Sequence, residues 1–162
     1  MQASLVVRER FVAALFNSSI TKSPIKASRR TDICFFWKHG DYSHYGFWRR
    51  DVSEFVKNLG KRYKLSTHVD TVANDEEGMV AGNIQLKYVQ ELLRCKIVVI
   101  AQRDEWEDHY RLYESLASGA LVLTDPMLAP PDGLTNTTNI LIYDNLKSLE
   151  RLVRYYLKHS DQ

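Results

Sequence analysis

Residues 96–126 read KIVVIAQRDEWEDHYRLYESLASGALVLTDP, and the alternation inside this stretch decides the fold. It opens on KIVVIAQ, a continuous apolar run rich in β-branched residues, the composition of a strand buried on both faces. It closes on LVLT (121–124), a shorter run of the same kind. Between them YRLYESLASG has apolar residues at helical spacing, and Gly119 stands where a left-handed residue would end the helix. The four acids of DEWEDHY (104–110) precede that helix, where negative charge suits the N-terminal end of its dipole. Strand, helix and strand in this rhythm predict a parallel pair with a crossover helix.

The helix has one oddity. Leu112, Tyr113, Leu116 and Ala117 form the face expected to pack on a sheet. Arg111, Glu114, Ser115 and Ser118 fall at i, i+3, i+4 and i+7 and share the other, expected to be wet. Arginine before glutamate is the poorer order for the helix dipole, and such a pair contributes only about 0.2–0.5 kcal/mol. Two readings stay open: a surface ion pair, or two side chains that reach for a ligand.

Outward from this unit the alternation continues. TDICFFW (31–37) reads as a buried strand, and residues 49–62 carry helical spacing through Val52, Phe55, Val56 and Leu59, with Gly60 near the end. KLSTHVDTV (64–72) alternates as a strand; residues 83–95 are helical through Ile84, Leu86, Val89, Leu92 and Leu93. NILIYD (139–144) is a last strand before a helix from about Leu146 to His159. The expected fold is a single Rossmann-like three-layer α/β/α domain with a parallel sheet of about five strands. Ahead of it, residues 5–16 have an amphipathic helical pattern and SSITKSPIKASRR (18–30) reads as linker. The organisation is therefore an arm, 1–30, and a domain, 31–162.

Bulk composition agrees. The chain has 162 residues, 44% hydrophobic and 26% charged, enough for one globular core. Its net charge of +2 divides unevenly: residues 1–64 hold 13 Lys+Arg against 5 Asp+Glu, residues 65–162 hold 9 against 15. The basic first half suits a phosphate-bearing partner, or is simply a solvated arm. Cys34 and Cys95 are expected as reduced core residues, and no zinc spacing occurs. The opening MQASLVVRERFVAALF is interrupted by Arg8, Glu9 and Arg10 and is too short for a membrane span or signal peptide.

In an open parallel sheet, ligands bind beyond the carboxyl ends of the strands, where the strand order reverses. Two connections serve that place: residues 38–49 after the first strand, and the third-to-fourth connection containing Arg111 and Glu114. The first, KHGDYSHYGFWRR, is aromatic-rich and ends in Arg49 and Arg50. With a helix starting near these arginines, it makes a phosphate site from exposed N–H groups and guanidinium, or an ordinary loop packed on itself. His39 and His44 are candidate bases or surface histidines. TDPMLAPPDGLTNTTN (124–139) is a proline-rich loop whose Asp125 faces the same mouth, or is an ordinary turn acid.

Glu114-Ser-Leu-Ala-Ser-Gly119-Ala-Leu-Val-Leu resembles the Glu-Ala-x-Ala-x-Gly-x-Pro-Val-Val pattern of GT-B glycosyltransferases, in their C-terminal, nucleotide-sugar-binding domain. RLYESLASGALVLTD followed by NILIYDNLKSLERLVRYYL is similar to the exostosin-like and spore-maturation-type members. The resemblance runs through residues 31–160, with close motif matches in 110–158. It implies transfer of a sugar from a UDP- or GDP-sugar to a hydroxyl acceptor, without a further cofactor or metal. By this resemblance Glu114 accepts hydrogen bonds from the donor ribose and Arg111 contacts the diphosphate. Gly119 ends the helix tightly, while Arg49 and Arg50 match the phosphate-side loop more loosely. Ser115 and Asp125 complete the candidate donor-binding set; no catalytic residue is assigned.

Two departures stand out. The second glutamate of retaining members is absent, because Trp106 stands eight residues before Glu114, flanked by Glu105 and Glu107. Members of this type have an N-terminal half that binds the glycan or protein acceptor, so the chain reads as a donor-binding fragment that holds nucleotide without efficient turnover. Localisation stays open: Golgi for a eukaryotic parent, cytoplasm for a bacterial one. The rival reading is a non-catalytic flavodoxin-like or Toll/interleukin-receptor-like interaction module. Nucleic-acid binding by the basic arm trails both, since no recognised module is present.

Overall fold

The computed structural model describes residues 28–38, 44–72, 86–102 and 110–159. Five strands form one parallel sheet in the order β2-β1-β3-β4-β5. They are β1 (Thr31–Lys38), β2 (Thr67–Val72), β3 (Cys95–Ile100), β4 (Leu121–Thr124) and β5 (Leu141–Ile142). The helices are α1 (His44–Tyr63), α2 (Leu86–Arg94), α3 (Tyr110–Ala117) and α4 (Leu146–Lys158). The expected α/β fold with about five parallel strands is the observed one. The candidate arm helix at 5–16, His39, and Glu105 to Glu107 lie outside the described residues.

Why the central strands read as unbroken apolar runs follows from their two-sided burial. Ile33, Phe35, Ile97, Val99 and Leu123 pack under α1 and α4, together with Val52, Val56, Leu149 and Val153 of those helices. Cys34, Phe36, Val98, Ile100 and Val122 point the other way, onto Val89 and Leu92 of α2 and Leu112 of α3. Register is fixed by pairs such as Ile33↔Ile97 and Ile97↔Leu121, which keep each alternating set on its own face. Burying Leu59, Leu92, Leu112 and Leu149 completely stabilises each by about 1.5–3 kcal/mol relative to exposure.

Three expectations are corrected. The first helix begins at His44, five residues before the expected onset. The last strand shortens to Leu141–Ile142, with Asn136 and Ile140 forming a separate bridge. The cysteines, expected as reduced, are joined: Cys34 and Cys95 form a disulfide with Cα atoms 5.9 Å apart. Cys95 follows α2 with no intervening turn residue, and its side chain packs with the α2/α3 layer, where it meets Cys34.

Candidate functional site

Strand order reverses between β1 and β3: the chain leaves β1 for β2 on one side and returns to β3 on the other. In such a sheet the carboxyl ends of these strands are where a ligand crevice opens, and here that place is bordered by α1, which follows β1, and α3, which follows β3. Two polar clusters sit there.

One is built on α3. Arg111 Nη1 donates to the Phe36 carbonyl, two residues before the end of β1, at 2.5 Å. Glu114 accepts from the Tyr88 hydroxyl of α2 at 2.7 Å, and the Tyr88 ring meets Phe36 edge-on at 5.1 Å between centroids. Glu114 is 8% exposed. Burial raises its carboxyl above the ordinary carboxylate range, while the Tyr88 hydrogen bond and the Arg111 charge pull it back. Burial and the Glu114 charge hold the Tyr88 phenol well above its ordinary value.

Leu112 is fully buried as expected, but three residues of the face expected to be wet, Glu114, Ser115 and Ser118, are buried as well. Ser115 and Ser118 are 1% and 5% exposed, whereas Ala117 is exposed and Tyr113 and Leu116 are half-buried. Each polar group has a partner that makes burial tolerable. Ser115 Oγ donates to the Arg111 carbonyl at 2.6 Å and Ser118 Oγ to the Ser115 carbonyl at 2.7 Å. The Ser115 hydroxyl thus bonds within its own helix. Gly119 closes the helix at φ 73°, as expected, with its N–H donating to the Leu116 carbonyl at 3.0 Å. Arg29 lies beneath it, donating to the carbonyls of Cys95 and Ser118 at 2.5 and 2.6 Å.

The second cluster joins α1 to β3 and β4. Asp125 is 7% exposed and accepts from Trp48 Nε1 at 2.8 Å and from the Gln102 backbone N–H at 3.0 Å. Arg49, also buried, donates from Nε to the Ala101 carbonyl at 3.2 Å. Arg50 points elsewhere: it is exposed and stacks on Phe47, 5.1 Å from the ring centroid. The paired arginines therefore lie in the second turn of α1 and diverge, which corrects their expected placement at a helix N-terminus.

Sequence reasoning missed Tyr88, Trp48 and Gln102. The signal for Gln102 was present: a polar residue ending a buried apolar strand at its carboxyl end. Its orientation follows from its neighbours. Thr124 Oγ1 donates to the Asp125 carbonyl at 3.2 Å, so toward Gln102 it accepts, and the group facing it at 2.7 Å is the amide Nε2. That leaves Gln102 Oε1 buried and without a hydrogen-bond partner. Among the described residues, no three His, Cys, Asp or Glu side chains gather as a metal site, and no helix is long and apolar enough to cross a membrane.

A family model described as glycosyl transferase-like matches residues 49–162. That span contains Arg49, both clusters' contributions from α2, α3, β3 and β4, and the closing helix α4. No curated protein and no solved structure matches the chain. The match covers more than two thirds of the 162 residues and coincides with an all-parallel sheet, so the chain belongs to the glycosyl transferase-like family.

Proposed function

We propose that the crevice at the carboxyl ends of β1, β3 and β4 binds the nucleoside diphosphate of a UDP- or GDP-sugar. On this reading the domain is the donor-binding half of a GT-B glycosyltransferase of the exostosin-like or spore-maturation type. It would serve transfer of the sugar to a hydroxyl acceptor. The carrying observation is that Arg111 and Glu114 turn inward together, toward the end of β1 and the Tyr88 hydroxyl, rather than pairing in solvent. A carboxylate suits two adjacent ribose hydroxyls, each able to donate to one oxygen. A guanidinium offsets the negative charge that grows on the departing diphosphate, where a preorganised charge contributes most. On this reading Arg49 and Asp125, which bond to Ala101 and to Trp48 with Gln102, bound the same crevice.

Titration calorimetry with UDP and GDP tests this. Binding of at least one nucleotide is expected, and Glu114→Ala should weaken it by more than about 1 kcal/mol, as for loss of charged hydrogen bonds. No heat from either nucleotide, or unchanged affinity in the variant, would remove the assignment. The strand order favours one second reading, a flavodoxin-like binding module, since that fold uses the same order. Flavin absorbance in the purified protein would select it.

A further inference from the structure

The outer surface of the α1/α4 layer carries a charge pattern that the crevice does not use. Leaving out the buried Arg49, helices α1 and α4 together hold eight Lys/Arg against three Asp/Glu, a balance of +5 in a chain whose total is +2. On α4, Lys147, Arg151, Arg154 and Lys158 fall at i, i+4, i+7 and i+11, one exposed stripe about 16 Å long. On α1, Lys57 and Lys61 continue into Arg62 and Lys64. The two helices lie side by side: Arg62 pairs with Glu150 at 3.1 Å, and Arg154 stacks on Tyr63, 4.8 Å from its centroid. Glu54 is taken up by Lys57 at 2.7 Å, so two of the three acids are matched within the face. Lys147, Arg151 and Lys158 have no ion pair among the described residues. Tyr155 is 50% exposed within the α4 stripe, and Phe47 is 48% exposed at the start of α1.

We propose that this face docks on an anionic lipid surface. Two rows of cations side by side match charge spread in two dimensions, and each Lys or Arg held near such a surface contributes about 1 kcal/mol. Long Lys and Arg side chains with exposed rings between them suit the headgroup region, where amphipathic rings settle. A single nucleic-acid strand offers one row of phosphates and needs stacking rings in a groove. The rings here stand on the open face of two helices. The proposal is independent of what the crevice binds.

Cosedimentation of the full chain with phosphatidylcholine vesicles, with and without about one third phosphatidylserine, is the experiment. Binding is expected with phosphatidylserine alone, declining as salt rises from about 0.1 to about 0.5 M. Lys147→Gln/Arg151→Gln/Lys158→Gln should weaken it at least about tenfold while leaving the melting curve intact. Lys22→Gln/Lys26→Gln, which alters the arm instead, should leave it unchanged. If the triple variant does not fold, Arg151→Gln alone is expected to weaken binding about fivefold. The proposal is overturned by equal binding to both vesicle types, by loss of binding in the arm variant with retention in the α4 variants, or by poly(U) RNA displacing the vesicles.

Discussion

Glu114 is held where burial and, on the proposed reading, nucleotide binding make opposite demands on one carboxyl group. Its pKa is raised chiefly by desolvation, so in the interval between the ordinary value and the raised one the folded state keeps a proton that the unfolded state has lost. Stability therefore falls as pH rises through that interval and remains penalised above it. Glu114→Gln removes the charge while its Oε1 still accepts from Tyr88, so its melting temperature at about pH 8 should equal or exceed that of the parent. UDP or GDP affinity should behave oppositely, weakening as pH falls through the raised value and the carboxylate takes up a proton. Thermal melts and calorimetry at about pH 5 and about pH 8 test both halves. A destabilised Gln variant would show that Glu114 serves packing rather than ligand. That Arg111 and Glu114 share one face of α3 was legible from i, i+3 spacing. Which way they face was not, because an amphipathicity argument counts polar residues as wet. It has no term for partners such as Phe36 O and Tyr88 Oη, supplied by chain 26 to 75 residues away.

At the scale of elements, boundaries were misjudged where tertiary contacts override local preference. Gly46 and the aromatic run before Arg49 argue against a helix, yet α1 begins at His44. Trp48 is drawn in by its bond to Asp125, 77 residues away, information that no window of sequence contains. Gly60 was legible as a special position, though for the wrong reason. It lies within α1 because a Cβ there would stand 2.6 Å from Thr67 Cγ2, so the helix can approach β2 only without a side chain. Gly60→Ala should gain up to about 1 kcal/mol of helix propensity and lose more to this clash, a net destabilisation of about 1–2 kcal/mol. Thr67→Ala in the Gly60→Ala background should recover part of that loss. Urea melts of the four proteins in this cycle measure the coupling, and strict additivity would show that the contact does not set the helix–strand spacing.

For the whole molecule, the alternating pattern was enough to give five parallel strands, two helical layers and the reversal of strand order between β1 and β3. What it could not supply was contact across the sheet between residues 61 positions apart. Cys34 sits mid-strand in β1 and Cys95 at the α2–β3 junction; both are fully buried, and a pair of isolated cysteines far apart in sequence reads as two apolar residues. Joined, they tie the strand that feeds one border of the crevice to the strand that feeds the other. In the chain-entropy picture, closing a loop of 61 residues stabilises the fold by about 4 kcal/mol through restriction of the unfolded chain. Cys34→Ala/Cys95→Ala should therefore lower the unfolding free energy by several kcal/mol, and dithiothreitol added to the parent in urea should shift its midpoint in the same direction. Alkylation of the denatured, unreduced protein followed by intact mass decides whether the bond exists: no adducts are expected, rising to two after reduction. Two adducts without reduction would mean paired thiols in the core instead, and the urea midpoint would then be insensitive to the reductant.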